Sequence, residues 1–405
     1  MIYRAISADS HVNEPPDLFV KRVPAKLRDR APKIIELDNG GQAWAMEGLP
    51  DPISFALTAV NVRAQSRFDR ANYKAKFMEA RDGIQKGVRY EDILPGSWDP
   101  VARLKEQDED NCDAEVMYAS PQVWGGVKAM ADKELQLACF RAYNDWMAEY
   151  CSHSPLRLIG VGLIPTTGID DAIAEMKRCL IDLNLPTVAL ESYPSGSYLG
   201  PTPEDDRFWA VAEEIGKPIS LHFSIKVPAN ATQAFAKGGD EVRRAVAGGT
   251  FQVVMQKLIL DGTFDRHPTI KFIGAEVNCG WLPYYFDRFD ATYKKHWRTL
   301  PQRLDMLPSE YFARNIWVTY IIDQIGVSNR YAVPGGVDHL MWSSDFPHSV
   351  SSWPIDVELA EAQLINANVP EDEWQRMMWR NCADMYKLPY EMPKVAQRRS
   401  AEQAA

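Results

Sequence analysis

Residues 7 to 14 read SADSHVNE and close the short apolar start of the chain, MIYRAIS. Three groups able to bind metal, Asp9, His11 and Glu14, fall within six positions, where a first strand would end. Positions i and i+2 of a strand face the same side, so Asp9 and His11 project together from its mouth and can grip one ion. Glu14 lies three residues further, in the following loop, and can reach back to that ion or to a neighbour. The same residues have a plainer use, with Asp9 capping a turn and His11 bonded to backbone. The rest of the chain decides between the two.

Outward from this stretch, short β-branched or aromatic runs alternate with amphipathic ones. Strands are read at 2–9, 114–120, 157–164, 187–192, 218–223, 270–277, 316–320 and 339–345. Between them, IDDAIAEMKRCLIDL places Ile169, Ile173, Met176 and Leu180 on one helical face. TPEDDRFWAVAEEIG opens with a threonine, a proline and an acidic turn, as a helix start should. Eight strands alternating with helices predict a parallel sheet closed as a distorted (β/α)8 TIM barrel, an open doubly wound sheet being the other topology. Residues 20–112 exceed what one crossover helix needs and read as an insertion or lid after strand 1. Residues 224–268 are also long, with AVAGGTF as a turn ahead of the helix FQVVMQKLIL. The expected organisation is one barrel domain over 1–390 and a tail over 391–405.

Composition narrows the function. With 405 residues, 46% of them hydrophobic, the chain can bury a large core. A net charge of -10 and no basic run longer than the arginine pair in QRRSAEQAA argue against nucleic acid and anionic membranes as partners. No stretch approaches 18 uninterrupted apolar residues, so the expectation is a cytoplasmic protein acting on a small molecule. Six scattered cysteines without a CxxC pair read as reduced structural thiols, Cys279 in NCGW lying nearest the suspected site.

Two further signals join the first. His222 ends the apolar strand in SLHFS, where a histidine satisfied within the core is the plain alternative. In MWSSDFPHS, Asp345 ends the last strand and His348 follows three residues later. Ligand-type residues thus gather at the ends of strands 1, 5 and 8, and strands 1 and 8 are neighbours once a barrel closes. A mixture of imidazole and carboxylate suits zinc, manganese or iron rather than calcium.

On these residues the chain resembles the amidohydrolase superfamily. Within it, the similarity is to the amidohydrolase-related branch that contains aminocarboxymuconate semialdehyde decarboxylase and resorcylate decarboxylases. The shared features are the strand-1 pattern at Asp9 and His11, the strand-5 histidine at His222, Asp345 within SSDFPH, and the late segment GWLPYYFDRFD. The resemblance runs from residue 2 to about 390 and is weakest over 20–112. It implies that Asp9, His11 and His222 bind a divalent metal, and that Asp345 is a ligand that also orients or deprotonates a water. His348 would then lie beside the ion or against the substrate.

Two departures stand out. Strand 4, VALES, lacks the lysine that bridges two ions in many members of the superfamily, and GAEVNCGWLP offers Glu276 where the decarboxylases present a histidine after strand 6. A carboxylate cannot act there as a cationic proton donor, but it can hold a proton if burial raises its pKa, or bind a second cation.

The resemblance implies a hydrolase or a non-oxidative decarboxylase of a small carboxylated or aromatic molecule, using zinc or manganese. A dinuclear iron or iron–manganese oxygenase, with Glu14, Glu276 and His348 around a second ion, is the alternative; a non-catalytic partner of an active paralogue is another. Assembly as a homodimer is expected. Arg63, Arg67 and Arg70 could pair with a substrate carboxylate or be solvated surface charges, and Trp281, Trp342 and Trp353 could wall a pocket or fill the core.

Overall fold

The computed structural model describes residues 2–54, 87–222, 248–300, 302–348 and 350–391. Eight parallel strands form one sheet. They are β1 (Ile6–His11), β5 (Ala114–Tyr118), β6 (Leu158–Ile164), β7 (Thr187–Leu190), β8 (Ile219–His222), β9 (Phe272–Ala275), β10 (Ile316–Tyr320) and β11 (Leu340–Trp342), and they lie side by side in that order. Each expected strand is present. The two ends of the sheet meet, Asp345 N–H donating to the Asp9 carbonyl at 3.0 Å and His11 N–H to the Phe346 carbonyl at 2.6 Å. The sheet is thereby closed as the (β/α)8 barrel.

Both faces of a barrel sheet are covered, which explains why β6 is the unbroken apolar run LIGVGLI with every residue buried. The helix over Ile169–Lys177 buries Ile169 and Met176 against this wall, and Leu180 follows in a π turn at Arg178–Asp182. The helix Asp205–Ile215 carries its acidic first turn and ends at Gly216, whose φ of 68° lies in the left-handed region that glycine tolerates.

Three details differ from the expectation. Strand β9 stops at Ala275, short of 277, where Glu276 adopts φ of 55° and ends the extended backbone, and β11 stops at Trp342, three residues before Asp345, which also has φ of 55°. The first strand begins at Ile6 and carries a bulge: its pairing with β5 advances from Ser7 opposite Glu115 to Ser10 opposite Met117, leaving one extra residue in β1. Between β1 and β5 lies a small antiparallel sheet of β2 (Lys33–Glu36), β3 (Gln42–Ala45) and β4 (Ile53–Ser54), which the sequence had not suggested. Arg63, Arg67, Arg70, Phe223, residues 245–247 of AVAGGTF and the tail beyond Glu391 lie outside the described residues.

Candidate metal centre

The bulge and the two left-handed residues all occur at the C-terminal ends of barrel strands, where loops bind substrate in this fold. There the structure gathers Asp9, His11, His222 and Asp345, each offering one ligand atom within 4.8 Å of the others. Asp9 Oδ1 lies 3.6 Å from both His11 Nε2 and His222 Nε2, and Asp345 Oδ1 lies 3.0 Å from His11 Nε2. Asp9, His11 and Asp345 are buried, whereas His222 is partly open.

The donors are oriented for a cation. His11 Nδ1 sits 3.0 Å from the Ala119 carbonyl, which can only accept, so Nδ1 carries the proton and the Nε2 lone pair faces the cluster. Burial, and then the neighbouring His348, lower the His11 pKa to about 4, keeping the ring neutral as a ligand must be. Asp9 is pushed the other way, well above the usual carboxylate range, by burial and then by Asp345 and Glu276. For Asp345, burial acts upward, but the neighbouring His348, with His11 beside it, outweighs burial and holds the carboxylate well below its ordinary value.

Asp9 Oδ1 and Oδ2, His11 Nε2 and Asp345 Oδ1 are buried without a hydrogen-bond partner of acceptable geometry. Buried polar atoms left so are rare and costly, and a divalent ion would satisfy all four. The residues present fit a metal, and the mixed nitrogen and oxygen set fits zinc, manganese or iron.

The other expected site residues divide. His348 stacks on His11 with ring centroids 3.8 Å apart and places Nδ1 3.1 Å from Asp345 Oδ1. Glu276 brings Oε2 to 3.6 Å from His222 Nε2 and is the most exposed carboxylate of the group, its side chain 21% accessible. Glu14 is not brought into the four-residue cluster, contrary to the idea that it reaches back to the same ion. Its Oε1 accepts from Ser120 N–H at 3.0 Å and from Trp124 Nε1–H at 2.8 Å, turning the carboxylate toward the loop after β5.

Cys279 is fully buried and burial, then Asp323, raises its thiol well above the usual range, so it remains a packed thiol. Trp342 belongs to the core, Trp281 donates to the Val277 carbonyl and Trp353 to the Glu106 carbonyl.

Sequence reasoning missed Asp323, whose Oδ2 accepts from Cys279 N–H and Gly280 N–H and so fixes the loop that follows Glu276. It also missed Arg103, buried behind strand β1. A lone arginine in DPVARLKEQDED looks like any solvated helix residue, and nothing local marks it.

Comparison with known proteins agrees with the barrel fold and places the chain in a family. The amidohydrolase family model matches residues 73–388, and the chain belongs to that family. It is 30% identical over 139 residues to the 2-amino-3-carboxymuconate-6-semialdehyde decarboxylase of Dictyostelium discoideum, a match covering 34% of this chain and 37% of that relative. It is 25% identical over 270 residues to the gamma-resorcylate decarboxylase of Rhizobium radiobacter, covering 59% of this chain and 76% of the other. The solved structure of a dihydroxybenzoic acid decarboxylase from Polaromonas sp. JS666 with bound manganese shares the fold, with TM-score 0.60 and 18% identity over 96% of this chain and 98% of that one. The chain is an enzyme of the amidohydrolase family. Among the described residues no helix is long and apolar enough to cross a membrane.

Proposed function

We propose that this chain is a metal-dependent decarboxylase of a small aromatic carboxylate. The observation that carries the reading is the donor set Asp9, His11, His222 and Asp345, with its unsatisfied buried atoms, at the mouth of the barrel. The named decarboxylases among its relatives support the choice of reaction.

In this reading the four residues hold one divalent ion, and the manganese of the Polaromonas structure makes manganese the first to test. An ion held by these residues would supply Lewis-acid charge, which would favour binding of a substrate carboxylate and withdraw negative charge from it. The chain does the rest. Asp345 keeps its charge and orients His348, which lies beside it. Glu276, open to the mouth and beside His222, would take a proton from solvent and relay it to the substrate carbon as CO2 leaves, in the place where the resemblance puts a histidine. Glu14 braces the β5 loop that forms part of the rim.

The hydrolase reading has one observation in its favour: the carboxylate at position 276 leaves Asp345 as the base that a water-activating site needs. The named relatives lend the dinuclear oxygenase no support, and decarboxylation is the reading carried forward.

The test is CO2 release from a panel of ring-hydroxylated benzoates, by metal-stripped protein and by protein reloaded with manganese. Release that depends on the metal is expected. Metal-dependent cleavage of an aryl ester or amide panel with no CO2 from any benzoate would favour the hydrolase instead.

A further inference from the structure

Three of the four donors straddle the seam of the barrel: Asp9 and His11 lie toward the end of the first strand, and Asp345 follows the last, while His222 faces them from β8. Among the described residues that seam has no regular ladder, since β1 pairs with β5 and β11 with β10. It is closed by isolated bonds, from Asp345 N–H to the Asp9 carbonyl, from His11 N–H to the Phe346 carbonyl and from Ser344 N–H to Ser7 Oγ. The spacing of ligands across the seam therefore depends on whatever else fixes these two chain segments.

Arg103, in the helix Pro100–Glu109, is fully buried there. Its Nη1 donates to the His11 carbonyl and its Nη2 to Ser10 Oγ, both at 2.9 Å, and its Nε donates to Glu115 Oε2 on the neighbouring strand β5. Ser10 Oγ is itself oriented by donating to the Val116 carbonyl at 3.0 Å, which leaves a lone pair for the guanidinium. The guanidinium carbon lies 4.6 Å from the centroid of the Phe346 ring, the residue next to Asp345. One planar group thus touches the last two residues of the first strand, the second strand, and the segment that carries Asp345. Charge balance with Glu115 would need only one of its three nitrogens. The fork as a whole matches the ligand-bearing strand ends.

We propose that Arg103 is a positioning residue of the metal centre, a clamp that holds His11 and Asp345 at the separation an ion requires. This rests on the metal-centre reading above. Lysine at this position keeps the charge beside Glu115 but cannot donate along three fixed directions.

The test uses the full chain, stripped of metal and titrated with cobalt(II), with the visible d–d absorption and the dissociation constant as readouts. The variants are Arg103→Lys and the paired change Arg103→Met with Glu115→Met, which removes both charges at similar volume so that neither is left buried alone. In protein that keeps the wild-type far-UV circular dichroism, cobalt affinity is expected to fall on the order of 10- to 100-fold, as when groups supporting metal ligands are lost, with a displaced d–d band. An unchanged band and affinity in either folded variant would overturn the proposal. Loss of fold in both would overturn it too, making Arg103 a residue of the scaffold. A wild-type chain that binds no cobalt would instead refute the metal centre itself, and the clamp with it.

Discussion

Replacing Glu14 by glutamine separates a carboxylate that binds metal from one that braces a loop. Glu14 is buried, and burial raises its pKa from 4.5 to about 7 against the opposing pull of its own backbone N–H, the Trp124 indole and the Ser120 N–H. A carboxyl raised in the folded state contributes stability that is complete below the unfolded value of 4.5 and is lost as pH climbs through about 7. At about 1.4 kcal/mol for each tenfold change in proton affinity, the loss between pH 4 and pH 8 is roughly 3 kcal/mol, or about 4 °C in Tm for a chain of this length. The Glu14→Gln variant would keep a side-chain oxygen for Ser120 and Trp124 but carry no charge to bury. Thermal unfolding of wild type and variant across this pH range is therefore expected to diverge, the wild type losing ground as pH rises, while both retain equal bound metal. Parallel pH curves would refute the account of the buried carboxyl. Loss of metal in the variant would restore Glu14 to the ligand set.

Three further outcomes follow from the same geometry. Asp345→Asn removes the charge shared by His11 and His348 and is expected to lower kcat for CO2 release by about 10²- to 10⁴-fold, measured by steady-state kinetics; activity within threefold of wild type would contradict its role. Glu276→Gln, beside His222 at the open edge of the cluster, is expected to lower kcat by a factor of about 10² or more with KM nearly unchanged, and an effect on KM alone would make Glu276 a binding group. Because Asp9 is pushed upward by burial, then by Asp345 and Glu276, metal binding should release protons, in a number that shrinks as pH rises. Calorimetric titration in buffers of different ionisation enthalpy reads this number directly, and no release would mean that Asp9 is already ionised.

Much of the fold was legible because a barrel writes each strand as a short buried run, and β6 is the plainest case. The strand ends were not, since extended and left-handed residues look alike in a string of letters, and neither Glu276 nor Asp345 announces its φ of 55°. The candidate site shows the same division. Asp9 and His11 are recognisable as an i, i+2 pair, and His222 and Asp345 as polar residues closing apolar strands. Glu14 misled because closeness in sequence says nothing of direction: its carboxylate turns toward Ser120 and Trp124, which are distant along the chain. Arg103 was invisible for a related reason, its partners Ser10, His11 and Phe346 being assembled only by barrel closure.

The central claim is that Asp9, His11, His222 and Asp345 form one metal site. Elemental analysis of protein purified without added metal, beside the His222→Ala variant, tests it most directly. About one transition-metal ion per chain in the wild type, and near none in a folded His222→Ala variant, is the expected result. A wild type without metal, or a variant that keeps its full complement, would contradict the assignment.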